Sequence, residues 1–194
     1  MGGMQRMTGL LIGAVFGAVF VVVNAHEPLN GVVATFLRVA ACLAAVAVAA
    51  MWFSAARGQR TGEGGSGGPM FGRGYLAVVA AEALLLFGGL RVLAAWERPV
   101  QANVAWIAVV VGVHFVALAP IWRTWDIAVP GALLAALGVA GLVMTGTAAI
   151  AWVPFVSGVL SGVTLLAGAV TAGWRTLASA ASAASAASAA RTAA

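Results

Sequence analysis

The sequence predicts an all-α membrane protein, a bundle of six transmembrane helices with both termini in the cytoplasm. Three observations support this: the composition, the spacing of the apolar stretches and the placement of the arginines. The chain has 194 residues, of which 63% are hydrophobic and 8% charged, and its mean hydropathy is +1.06. Soluble domains carry roughly a quarter charged residues. We therefore expect the lipid bilayer to be the main solvent of this chain.

Six apolar stretches each approach the roughly 20 residues that a helix needs to cross a bilayer. They lie at 8–24, 31–54, 74–96, 103–122, 127–148 and 152–174. Polar turns such as "NAHEPLN" and "ERPVQ" separate them, and a Gly-rich cytoplasmic linker covers 57–73. The break at "AIAWVP" is the weakest because it holds no charge. A chain of five spans with a long, kinked final helix is the alternative.

We expect residues 1–177 to form the transmembrane domain and 178–194 to form a cytoplasmic tail. The tail contains "ASAASAASAA", whose period of three does not keep one helix face apolar. Alanine still favours helix, so a frayed helix or a disordered extension is expected. A signal peptide is the alternative for the first span, but its apolar run is long and "VNA" is a poor cleavage site. We favour a retained helix.

Arginine placement predicts the orientation of the spans. With the N-terminus inside, the outer turns hold only Arg98, which follows the positive-inside rule for a bacterial cytoplasmic membrane. Most tryptophans fall at span ends, where indole rings prefer the headgroup region. Trp106 alone lies slightly inside a span. The inner arginines are Arg6, Arg57, Arg60, Arg73, Arg123, Arg175 and Arg191.

Several function classes are excluded by residues that the chain lacks. All ten basic residues are arginine, so no lysine is present for a retinal or pyridoxal Schiff base or for a Walker A loop. The arginines are scattered singly, which argues against nucleic-acid binding. His26 and His114 lie at different depths, and Cys42 is the only cysteine. We expect no metal, no haem and no other cofactor.

Small residues at four-residue spacing predict the faces on which the helices pack. Lipid removes the hydrophobic drive for helices to associate, so close backbone contact replaces it. A compact bundle explains these faces, and an interface with a second copy or with another membrane protein is the alternative. The predicted packing residues are Gly9, Gly13, Gly17, Gly158 and Gly162.

Four ionisable residues interrupt the apolar runs: Arg38, Glu82, Arg91 and His114. A charge at mid-membrane costs roughly 2.5–3.5 kcal/mol on insertion scales, so each needs a partner or a route to water. Arg91 lies about five residues from the outer end of its span and can reach the interface by snorkelling. Glu82 and His114 lie about fourteen and eleven residues in, which places them within about 4 Å in depth.

Glu82 is the deepest acidic residue, and its carboxyl group can be accommodated in three ways. It is protonated, it pairs with His114 or Arg38, or it lies next to an internal water. We expect Arg38, Glu82 and His114 to face a shared interior as one polar cluster. His26 and Glu27 mark the first outer turn, from which Glu27 could reach towards Arg38. Hydroxyls in the outer half of the last two spans could line an outward-facing cavity; they are Thr145, Thr147, Ser157, Ser161 and Thr164.

These features favour a small non-enzymatic membrane protein, with transport of a proton or a small solute as the leading hypothesis. An accessory or assembly subunit that docks on another membrane protein is the first alternative. A membrane-embedded enzyme acting on lipid, with Glu82 and His114 as acid and base, is a weaker one. Against the enzyme, the sequence has no metal motif and no second carboxylate near Glu82 and His114.

Overall fold

Six long helices make up the protein in its computed structural model, which describes residues 3–59 and 72–192. No strand occurs within these described ranges, and all six helical segments are long and apolar enough to cross a membrane. The all-α, six-helix part of the prediction is confirmed. The helices are α1 (Gly3–Asn24), α2 (Gly31–Gln59), α3 (Arg73–Ala95), α4 (Gln101–Trp122), α5 (Ala128–Met144) and α6 (Leu160–Thr192).

The connection between α5 and α6 is the most irregular part of the described chain. After α5 come a 3-10 turn at Ala148–Trp152 and a π-helix at Pro154–Val159, which leads directly into α6. Thr147 caps the 3-10 turn, since its hydroxyl accepts a hydrogen bond from the backbone N–H of Ala149 at 3.1 Å. The uncharged "AIAWVP" break is thus a real helix boundary, because two short helical forms replace the charged turn found elsewhere.

The predicted linker at 57–73 falls largely on residues 60–71, which lie outside the described residues, as does Arg60. Both of its ends are helical, since α2 continues to Gln59 and α3 begins at Arg73. At the other end of the chain, α6 carries the Ala/Ser-rich segment as helix as far as Thr192.

The bundle is built from two triplets of helices. The first contains α1, α2 and α6, and its core runs through Ala14, Val21, Ala41, Val48 and Leu166. The second contains α3, α4 and α5. The triplets meet where α6 and the π-helix contact α4 and α5, and a small cluster of Val111, Leu134 and Leu165 fills that junction.

Glycines bring α1 and α6 into backbone contact. A Cβ placed on Gly17 would lie 2.8 Å from the carbonyl oxygen of Gly162, and one on Gly162 would lie 2.5 Å from that of Gly17. Gly158 faces the side chain of Asn24 just as closely, while a Cβ on Gly13 would meet no atom within 4 Å. Of the predicted packing residues, Gly17, Gly158 and Gly162 therefore make close contacts between helices, Gly13 is buried without such a contact, and Gly9 is half-buried on α1.

A second glycine-rich seam joins α4 to α5. Gly112 faces the carbonyl oxygen of Gly131, at 2.6 Å from an added Cβ. Gly138 faces the backbone of Ala105 and Val109 at similar distances. These two helices form the most extensive pair in the molecule because no side chain holds their backbones apart.

The outer surface of the bundle is apolar. Val32, Phe36 and Leu43 on α2 are 78%, 69% and 64% exposed. On α3 no residue is buried, although its sequence is as apolar as a membrane span requires. Apolar patches of this extent are unstable against water, and together with the six long apolar helices they suggest a membrane-embedded protein.

Candidate functional site

The candidate site lies on the face by which α3 packs against α4. Tyr75, Glu82 and Gly89 are seven residues apart and form one stripe along α3, the spacing by which two helices pack in a left-handed pair. At one end Tyr75 stacks on Trp122, with ring centroids 6.0 Å apart. At the other end Gly89 faces the indole of Trp106. Glu82 is the middle residue of the stripe.

Glu82 meets His114 of α4 at the centre of this stripe. The Nδ1 atom of His114 lies 2.9 Å from Oε2 of Glu82. The carboxylate is off the direction of the ring N–H, so the contact is an ion-pair approach rather than an aligned hydrogen bond. The side chains are 24% exposed for Glu82 and 13% for His114, which places the pair at the edge of the bundle rather than in its core.

The depth of the pair follows from the helix bounds. Glu82 lies thirteen residues before Ala95, and His114 lies thirteen residues after Gln101. Both are therefore about 20 Å along their helices from the turn that joins α3 to α4. The two residues are level because α4 begins two residues earlier than the sequence indicated.

Chemically, the pair can hold one proton without net charge. An imidazolium beside a carboxylate and an imidazole beside a carboxylic acid are both neutral overall. Gaining a second proton or losing the first leaves one net charge, which is costly among apolar side chains. Phe115 packs edge-on against the His114 ring, at a centroid distance of 5.8 Å, and limits its movement on that side.

Trp106 supplies a second polar link between α3 and α4. Its indole N–H donates to the backbone carbonyl of Leu85 at 3.0 Å, and the lack of a side chain on Gly89 leaves room for its ring. The sequence interpretation gave this residue no role. Its position inside a span, where all the other tryptophans lie at span ends, was the available signal.

The structure does not bring Arg38 to this pair. Arg38 lies on α2, which packs against α1 and α6, whereas α3 packs mainly against α4 in the other triplet. The expected three-residue cluster is thus reduced to Glu82 and His114. Arg91 is exposed near the end of α3, and neither arginine forms an ion pair with any described residue.

An open cavity of about 860 Å³ lies at the end of the bundle where α1 meets α2. It contains the two outer-turn residues that the sequence singled out, His26 and Glu27, and both are exposed. Asn24, Gln101 and Pro154 add walls from α1, α4 and the π-helix. The lining is therefore mixed in polarity, and the Glu82–His114 pair is not part of it.

The hydroxyls of the last two spans do not line that cavity. Ser157 donates to the carbonyl oxygen of Leu137 at 2.9 Å, and Thr145 donates to that of Leu142 at 2.7 Å. Backbone carbonyls thus satisfy these groups, as is usual for hydroxyls inside membrane helices. Ser161 is buried, and its hydroxyl has no hydrogen-bond partner among the described residues.

Within the described residues, no three His, Cys, Asp or Glu side chains lie close enough together to hold a metal ion. Comparison with protein-family models, with curated proteins and with solved structures finds no match to this chain. The functional argument therefore rests on the geometry of the Glu82–His114 pair and on the surfaces around it.

Proposed function

We propose that this protein is a non-enzymatic, multi-pass protein of the bacterial cytoplasmic membrane in which the Glu82–His114 pair takes up and releases a proton. Proton movement through the pair would drive or accompany transport of a small solute. The observation that carries the proposal is the 2.9 Å contact between two titratable side chains at matched depth inside two membrane-crossing helices.

The cost of placing such residues in a membrane supports a functional role. Ionisable groups inside membrane-crossing helices are rare and commonly mark proton or ion pathways. A purely structural link could be made by neutral side chains, as Trp106 does with the carbonyl of Leu85.

The proposed orientation places both termini in the cytoplasm. Six spans put the two ends of the chain on the same side, and the positive-inside rule then assigns the arginine-rich side to the cytoplasm. In this orientation the cavity around His26 and Glu27 opens to the outside. Cysteine accessibility at the α3–α4 turn and in the tail tests the assignment, and labelling of the tail from outside would contradict it.

Proton binding is tested by infrared difference spectroscopy of the full-length protein in lipid, recorded between acidic and alkaline buffer. The chain has only five acidic residues, so the bands of carboxylic acids are few. We expect Glu82→Gln to remove one band and His114→Ala to shift it. The matched control is Glu97→Gln, which changes an exposed residue at the end of α3. A spectrum unchanged by Glu82→Gln would contradict proton binding at the pair.

Transport is tested in liposomes loaded with a pH-sensitive dye. We expect the wild type to dissipate an imposed proton gradient faster than protein-free liposomes do, and Glu82→Gln to return the rate to that of the protein-free control. Glu97→Gln should behave as the wild type. If Glu82→Gln and the wild type give equal proton fluxes, the pair has no part in transport.

An accessory subunit is the second candidate, and the exposure of α3 favours it. All 23 residues of this helix lack full burial within the chain, so its free face is available to another membrane protein. This role predicts that a partner co-purifies in mild detergent and is lost when Leu84, which is 76% exposed, is replaced by Trp. Purification of the wild type as a lone monomer would count against it.

A further inference from the structure

Arg38 is the charged residue that the proposed function leaves unexplained. It lies seven residues after Gly31, about 10 Å along α2 from the start of the helix. Its Nε atom is enclosed and has no hydrogen-bond partner among the described residues. The side chain as a whole is only half-buried, so the guanidinium reaches the surface of the bundle. A guanidinium keeps its charge in proteins, so it needs an anion.

The protein itself offers no such anion within the described residues. Arg38 occupies the same position of the α2 repeat as Trp52, two heptads further on, and Trp52 donates to Thr8 of α1. Arg38 therefore lies beside the seam between α1 and α2. The part of α1 at that level is apolar, with exposed residues such as Val19 and Val23. Glu27, in the turn before α2, forms no ion pair with Arg38.

The face of α2 that carries Arg38 has the features of an anion site. Gly31, Thr35 and Arg38 follow one another at spacings of four and three residues, so they share one side of the helix. Gly31 is the first residue of α2, where the helix dipole favours negative charge. Thr35 is exposed and adds a hydroxyl one turn above Arg38. A long arginine side chain can extend towards the membrane surface, and Thr35 lies in that direction from Arg38.

An exposed apolar strip of α2 lies beside these residues. It consists of Val32, Phe36 and Val39. The combination of a cationic side chain, an anion-favouring helix end and an adjacent apolar strip matches the two parts of a phospholipid. We propose that this face of α2 binds an anionic phospholipid, with its phosphate at Arg38 and Thr35 and an acyl chain along the apolar strip.

Native mass spectrometry of the full-length protein, released from detergent with defined lipids, tests this proposal. The probes are phosphatidylglycerol and phosphatidylcholine with identical acyl chains. We expect phosphatidylglycerol to bind about tenfold more tightly, the factor given by one charge-assisted hydrogen bond. Arg38→Gln should abolish this preference, and Arg38→Lys should keep part of it because lysine retains the charge without the two-pronged contact.

Arg91→Gln is the matched control because it removes the same charge from a neighbouring span. Arg91 lies near the C-terminal end of α3, where the helix dipole disfavours an anion. Arg91→Gln should therefore leave the preference for phosphatidylglycerol intact. Val39→Trp changes the shape of the apolar strip without changing charge and should weaken the binding of both lipids. Free glycerophosphate should not displace the bound lipid, which separates a lipid site from a site for soluble phosphate.

The proposal is overturned if Arg38→Gln retains the wild-type preference while the protein stays folded. It is also overturned if Arg38→Gln and Glu27→Gln lower the melting temperature equally and neither changes lipid binding, because Arg38 would then pair with Glu27. A melting curve of each variant in detergent shows whether it is folded. The lipid site is independent of the Glu82–His114 pair, so neither result bears on proton uptake.

Discussion

The seam between α4 and α5 and the seam between α3 and α4 share one helix and are built in opposite ways. Gly112 of α4 presses against the backbone of α5, and Gly138 of α5 presses against the backbone of α4. On the other face of α4, Glu82 of α3 lies 2.9 Å from His114, and the carbonyl of Leu85 accepts a hydrogen bond from the indole of Trp106. One seam is held by shape and the other by directional polar contacts.

The difference indicates which part of the bundle can move. In the glycine seam the backbones are in direct contact, and close-packed interiors have low compressibility. Polar links in membranes are each worth only about 0.6 kcal/mol on average, and α3 has no buried residue to hold it in place. A change of charge at Glu82 or His114 can therefore shift α3 without disturbing α4 and α5.

The largest expected effect comes from adding one methyl group to the α4–α5 seam. We expect Gly112→Ala to lower the free energy of unfolding by about 2 kcal/mol, because its Cβ would overlap the backbone of α5. Gly88→Ala on α3 is the matched control, since a Cβ there meets nothing within 4 Å. It should leave stability unchanged or raise it by up to about 1 kcal/mol. Thermal unfolding in a mild detergent measures the stability of both variants. Equal losses of stability would contradict the proposed difference between the two seams.

A smaller effect is expected from breaking the charged link. Glu82→Gln should destabilise the packing of α3 on α4 by about 1 kcal/mol and leave the α4–α5 seam intact. A double-mutant cycle with His114→Ala measures the coupling free energy between the two side chains. We expect this coupling to account for most of the stability lost in Glu82→Gln. Additive effects of the two substitutions would show that the side chains do not interact in the folded protein.

Removing the indole hydrogen bond should cost less. Trp106→Phe keeps an aromatic ring beside Gly89 but deletes the donor to the carbonyl of Leu85, so we expect a loss of about 0.6 kcal/mol. Disulfide trapping between cysteines introduced on α3 and α4 reports how firmly the two helices are held. A trapping rate equal to that of the wild type would show that the hydrogen bond does not restrain α3.

The smallest effect is expected at the end of α6. A chain that stops after Leu177 should unfold at the same temperature as the full chain, because the described side chains from 178 onwards are exposed. Circular dichroism should show only the helical signal of the missing residues disappearing. A lower melting temperature would indicate that the tail packs on the bundle.

Much of this arrangement could be predicted from the sequence, because membrane spans are read from local composition. Six spans, their approximate ends and the similar depth of Glu82 and His114 follow from counting residues between turns, and their contact was one of the alternatives considered. The separation of Arg38 from that pair could not be predicted, since depth is a property of one helix whereas adjacency depends on which helices pack together. Which helices pack together depends on the close glycine contacts, and these contacts depend on the arrangement of the whole bundle.

Two features of the site were within reach of the sequence but were not recognised. The seven-residue spacing of Tyr75, Glu82 and Gly89 marks one stripe within an otherwise apolar helix. Trp106 is the tryptophan that lies inside a predicted span rather than at a span end. By contrast, the π-helix at Pro154–Val159 carries no local signal beyond its proline, and its Ser157 and Gly158 pack against Leu137 and Asn24, which are distant in sequence.

The most direct test of the account is the distance between His114 and Glu82 in a lipid bilayer. Solid-state NMR can measure it with ¹⁵N-labelled histidine and ¹³C-labelled glutamate, using His26→Gln so that only His114 carries the nitrogen label. We expect strong dephasing of the Nδ1 signal by a side-chain carboxyl carbon, as the 2.9 Å contact requires, and its loss in Glu82→Gln. A His114 signal that no glutamate carboxyl dephases would contradict the pair and, with it, the proposed proton site.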